Sequence, residues 1–108
     1  MTNIRRALQA AAGGGGDATY VEDVFSTYVY TGTGATLAIN NGIDLDGEGG
    51  MVWIKNRTNT NGHRLIDTAR GVLEVLESYD TTAETTESGS LTAFNSNGFT
   101  VGDSVHTN

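Results

Sequence analysis

The side chains with chemistry to offer lie in two stretches. In Asp44-Leu45-Asp46-Gly47-Glu48-Gly49, carboxylates occupy loop positions one, three and five, and a glycine occupies position six. That is the front half of an EF-hand calcium loop. The pattern then breaks, because Lys55 stands at the twelfth position, where a bidentate Glu would close the loop, and no helical pattern flanks it. Asp44, Asp46 and Glu48 are left as candidates for a partial calcium site completed by neighbouring carbonyls, with an acidic exposed turn as the simpler reading. The second stretch holds Arg57, Arg64, Asp67 and Arg70. Ion pairs among these would fix the register of a hairpin. Alternatively, an arginine there could receive a carboxylate or a glycan. His63 and His106 stand apart and have no metal-ligand spacing.

Catalytic patterns are lacking. The sequence holds no G-x-S-x-G elbow and no H-E-x-x-H, the motifs that would place a serine nucleophile or a catalytic zinc. Gly32-Thr33-Gly34 begins like a dinucleotide loop, but Leu37 stands where the third glycine belongs. Without a cysteine there is no disulfide, thiolate site or cysteine nucleophile. A protein that is not an enzyme and needs no cofactor is expected.

Composition narrows the class further. A chain of 108 residues suits one domain. A net charge of −7 argues against a nucleic-acid surface, since phosphate contacts need clustered cations. Lys55 is the single lysine, which argues against a basic membrane-surface helix, and the longest apolar run, Met51–Ile54, is far too short for a membrane span. Met1–Ala12 has no apolar core of the length a secretory signal needs.

The elements that must position these residues are mostly β-like. The centre is Gly49–Gly71, which holds the only Trp and four of the six basic side chains. Two extended segments, Gly50–Lys55 and His63–Asp67, flank the turn-rich loop Asn56–Gly62. Met51 and Trp53 point to one face of the first, Val52 and Ile54 to the other. A strand apolar on both faces reads as a central one covered from both sides, with Trp53 buried. Val24–Thr31 alternates and pairs in expectation with Ala35–Ile39 across a glycine turn. Val72–Leu76 suits a strand or one helical turn, and Glu77–Gly89 reads as a surface loop. Leu91–Val101 forms a hairpin around Asn97-Gly98, a positive-φ turn signal. Short strands with frequent Gly and Asn turns indicate an all-β sandwich spanning residues 17–108. Its expected core includes Phe25, Val52, Trp53, Ile54, Leu65, Phe94 and Phe99.

Residues 1–16 differ in kind. Thr2–Ala12 has the spacing of a short helix, and Gly13–Gly16 forms a flexible linker. Ile4, Ala7, Leu8 and Ala11 share one face, while Arg5 and Arg6 give the segment a charge opposite to that of the rest. About ten residues make a marginal helix alone in water, so the segment reads as an anchor that docks on another chain. Folding back onto its own domain and remaining disordered are the alternatives.

The ordered set Phe25–Gly32, Ile39–Gly42, Glu48–Arg57, His63–Gly71 and Phe94–Gly102 resembles a domain of tailed-bacteriophage structural proteins, especially marine and cyanophage tail fibres. That resemblance spans about Tyr20–Asp103. It implies a jelly-roll-like antiparallel sandwich akin to laminin-G and concanavalin domains. It also implies a place in the virion, attachment to other virion proteins through the N-terminal segment, and homo-oligomers, with trimers the usual fibre symmetry. Relatives are expected to continue into further strands, one of them aromatic-rich, so this sequence would be the N-terminal part of a longer fibre or a sandwich completed by a partner chain. Three other roles stay open. One is a carbohydrate-binding module that stacks host surface glycans on Tyr28, Tyr30 or Trp53, another is a capsid decoration or head-fibre protein, and the third is an accessory domain of a host-cell enzyme.

Overall fold

The computed structural model describes residues 19–108, so the expected anchor helix and glycine linker lie outside the described residues. In chain order the elements are α1 (Val21–Val24), β1 (Leu37–Asn40), α2 (Leu45–Glu48), β2 (Met51–Ile54), β3 (Arg64–Asp67), β4 (Glu74–Val75), β5 (Thr85–Thr86), β6 (Leu91–Asn95) and β7 (Gly98–Val101). The described residues form an all-β fold, with antiparallel pairing throughout and two single helical turns.

The three-stranded sheet has the order β1-β7-β6. Its register sets Ile39 opposite Phe99 and Phe99 opposite Phe94, while Leu37, Val101 and Leu91 form a second row. Side chains in such a row share one face, because alternate residues of a strand point the same way. Ile39, Phe99, Val101 and Leu91 are buried, and Leu37 and Phe94 pack against them half-buried. Strands β2 and β3 form the other hairpin, with Val52 opposite Ile66 and Ile54 opposite Arg64. Mutual bonds between the backbones of Leu65 and Leu76 carry that hairpin on to β4, which pairs with β5. Val52, Ile54, Ile66 and Val75 join the same core.

Three expectations change at this level. The segment Val24–Thr31 forms no strand with Ala35–Ile39; β1 pairs with β7 instead, where Leu37 and Ile39 find large apolar partners across the ladder. The neighbouring segment at residues 25–32 stays extended and unpaired, and its end is held by the Asn108 amide. Asn108 Oδ1 accepts from Thr33 N and Gly34 N at 2.5 and 3.1 Å, and its Nδ2 donates to Gly102 O at 2.6 Å and to Ala35 O. Among the described residues strand β2 is not central, because it pairs with β3 alone. Within Glu77–Gly89, Thr85–Thr86 is strand rather than loop.

At the β6–β7 turn, Gly98 alone carries positive φ, at 154°, and Asn97 does not. A Cβ on Gly98 would lie 1.9 Å from Ile39 O. Glycine therefore lets β1 close onto β7. Gly98→Ala should lower stability by roughly 1–3 kcal/mol through overpacking, and more if β1 detaches. At Gly34 a Cβ would meet open space, so Gly34→Ala should cost only its left-handed φ penalty, about 1–2 kcal/mol. Urea melts of the two variants test this order.

Candidate functional site: an apolar groove beside a buried arginine cluster

Alternation along β3 puts Arg64 and Ile66 on the inner face and Leu65 on the other. Ile66 is therefore the core residue, 0% exposed, and Leu65 is only half-buried. The expectation that Leu65 is core is corrected by the register with β2. Arg64 is 4% exposed. A guanidinium taken out of water must find carboxylates. Its Nε meets Glu87 Oε2 at 3.2 Å, and its Nη1 meets Glu77 Oε1 at 3.2 Å. Glu87 Oε1 also accepts from the Ser104 hydroxyl at 3.0 Å and from the Ser90 hydroxyl. Thr107 Oγ1 donates to Ser90 O at 2.8 Å, tying the segment after β7 into the cluster. The ion pairs expected among Arg57, Arg64, Asp67 and Arg70 divide differently. Arg70 forks onto Asp67, with Nη2 at 2.6 Å, and reaches Glu84 at 3.4 Å, while Arg57 is exposed.

Beside β2 the chain leaves a groove of about 980 Å³ that takes in both the exposed Met51/Trp53 face and the Val52/Ile54 face of the strand. The extended segment at residues 24–32, strand β2, the start of the β2–β3 loop, and Thr107 and Asn108 line it. Here the structure overturns two expected core positions. Trp53 is 59% and Phe25 64% exposed, and Met51, Tyr28 and Val29 stand in solvent beside them. The reason lies in position: β2 buries only its Val52/Ile54 face, and Phe25 precedes a segment with no partner strand. Of the other expected core residues, Val52, Ile54 and Phe99 are buried and Phe94 is half-buried. Trp53 Nε1 donates to His63 Nδ1 at 2.8 Å, with the rings edge to face at 5.7 Å. His63 is thereby tied to the groove wall.

Charge is sorted around this groove. Among the described residues, Lys55, Arg57 and His63 line it and no Asp or Glu side chain does, although the chain has thirteen acidic residues. Twenty successive residues, 24–43, carry no charge. Lys55 Nζ donates to Asn59 O at 3.3 Å and to Asn56 O, and it has no carboxylate partner among the described residues.

The candidate calcium ligands are not brought together. Asp44 caps α2, its Oδ1 accepting from Gly47 N at 2.7 Å, and Asp46 and Glu48 point to solvent. Among the described residues, no group of three acidic, histidine or cysteine side chains is placed to hold a metal. The buried Arg64 was the functional group hardest to read, and its one signal was alternation with Ile66.

Burial alone would raise the Glu87 carboxyl. The Ser90 and Ser104 hydroxyls and the Arg64 charge outweigh that and hold it below its ordinary 4.5. Asp67 is held below 3.8, chiefly by the hydrogen bond from Arg70. A carboxyl depressed in the folded state adds stability that is present above its unfolded value and lost as pH falls through the folded one. Urea stability should therefore hold down to about pH 5 and fall below about pH 4. Glu87→Gln should be less stable at neutral pH and show a shallower acid slope.

No curated protein and no solved structure matches the chain. Residues 21–108 match the family model described as a domain of unknown function, DUF7483. That match takes in all the described elements, from α1 through β7 to the segment that closes the groove, and the chain belongs to the DUF7483 family.

Proposed function

We propose that this chain is a non-enzymatic structural component of a tailed-phage virion, a fibre or fibre base, with its β-domain built for contact with other protein surfaces. The open groove carries the reading. A small domain that leaves Phe25, Tyr28, Val29, Met51 and Trp53 in solvent on one side presents the kind of apolar patch that marks an interaction surface. The motif set resembling phage fibre domains supports the same assignment. Three small antiparallel sheets around one core also suit a jelly-roll-like sandwich with part of its strand complement supplied elsewhere. In this reading Ile4, Arg5, Arg6, Ala7, Leu8 and Ala11 anchor the chain to another virion protein, and trimers give the assembly its symmetry. A capsid decoration would use the same two parts.

Burying Ile4 and Leu8 contributes roughly 3–6 kcal/mol before ordering costs, and several copies on a symmetric socket would add through effective concentration. Deleting residues 1–12 should leave the melting temperature of the β-domain unchanged and abolish its incorporation into particles. A deletion protein that is destabilised but still incorporated would refute the anchor.

A second reading, glycan binding, is favoured by one observation: Trp53 is an exposed aromatic face in a groove rather than a core residue. Sugars stack on such faces while polar neighbours orient them. Trp53→Ala should cost about 1 kcal/mol or less in a denaturant melt, as a surface change does, against about 2–5 kcal/mol for Ile66→Ala. If Trp53→Ala keeps its fold and loses binding on a glycan array that wild type shows, the glycan reading displaces pure assembly. An array blank for wild type removes it.

A further inference from the structure

Among the described residues, the backbone groups of residues 26–32 make no hydrogen bond at all. The segment is extended, about 23 Å long at strand rise, and rich in the β-branched and aromatic residues that favour strands. Among the described residues, the edge of β2 that faces away from β3 is also unpaired. Both line the same groove. A row of unmatched N–H and C=O groups beside apolar side chains is a template for an added strand, the arrangement used in β-strand addition.

We propose that the groove accepts one extended peptide strand from a separate chain, apolar and aromatic along its length and bearing a carboxylate at the end that meets Lys55 and Arg57. The inference rests on the groove and does not depend on the virion reading. Sorting of charge selects the occupant. Residues 1–18 of this chain carry Arg5 and Arg6 against one carboxylate, Asp17, and so would bring net like charge to Lys55 and Arg57. In a second copy the free extended segment is residues 24–32, and the carboxylates beside it, Glu22 and Asp23, belong to α1, where Asp23 accepts from Tyr20 N at 3.0 Å, and not to the strand. An acidic-ended strand from a partner satisfies both the apolar walls and the cations. Main-chain pairing would supply affinity, and the charged end would set direction.

Trp53, the only tryptophan, sits in the groove wall and reports occupancy by its emission. The full chain is titrated at low salt with three synthetic peptides of about nine alternating Tyr and Thr residues. One ends in two Asp, one ends in two Lys, and one carries a central Pro with the Asp end. The Asp-ended peptide should shift Trp53 emission to the blue and bind about five-fold more tightly than the Lys-ended one, a preference that salt erodes. The Pro-containing peptide should not bind, since Pro lacks the ladder donor. Val29→Pro should abolish binding with the melting temperature unchanged, because this backbone bonds nothing within the described fold. Arg57→Glu, an exposed change that leaves folding untouched, should reverse the end preference. Four results would overturn the proposal: no emission shift with any peptide, equal binding of the Pro-containing peptide, an end preference unmoved by Arg57→Glu, or a blue shift on concentrating the chain alone that light scattering traces to self-association.

Discussion

One guanidinium in the wrong solvent organises most of this fold. Arg64 shares the inner face of β3 with Ile66, and a charge there must be surrounded by partners or the hairpin cannot stay where it is. Glu77 and Glu87 supply the carboxylates, both from the chain after β3. Glu87 then gathers Ser90 and Ser104, and Ser90 O receives the Thr107 hydroxyl. Thr107 O in turn accepts from the Tyr30 hydroxyl. A continuous relay of polar contacts thus runs from the centre of one hairpin to the extended segment that walls the groove. A buried pair of this kind is not in itself strongly stabilising, but removing one partner strands a charge, at about 3–5 kcal/mol. Its value here is placement: it fixes which loop lies over the core and in what register.

The sequence was legible where the signal was local. Both hairpins, β2–β3 and β6–β7, follow from apolar alternation on either side of a turn-rich interval, and their residues fall within the expected spans. Non-local pairing was not legible. Residues 24–31 alternate as well as any strand in the chain, yet β1 is captured by β7 through contacts between residues some sixty positions apart. Trp53 and Phe25 were misplaced for the same reason. An apolar side chain on a strand declares that it would gain from cover, and the chain's topology decides whether cover exists. Leu65 against Ile66 turned on a single step of register, because a shift of one residue exchanges the two faces.

The groove and the buried cluster both border the β2–β3 hairpin. On the inner side of β2–β3, charge is neutralised in place by acidic residues brought from afar. Along the groove, among the described residues, the cations at the hairpin tip have no acidic neighbours and the apolar rings have no lid. The acidic residues of the chain are therefore spent on structure and on the far surface, which gives the groove a local character opposite to the net charge of the whole.

The stretch of twenty uncharged residues around the unbonded segment also has a cost in solubility. A strand-prone, proline-free backbone with open donors and acceptors is the kind of edge from which cross-β stacking starts. Natural sheets blunt such edges with lysine, proline or a bulge, and none of these lies within residues 24–36. The protection left is the long-range repulsion of a net charge of −7, which added salt screens. The chain is therefore colloidally safest in dilute buffer, and salting its solutions pushes it toward fibrillar aggregation even where its native contacts remain intact.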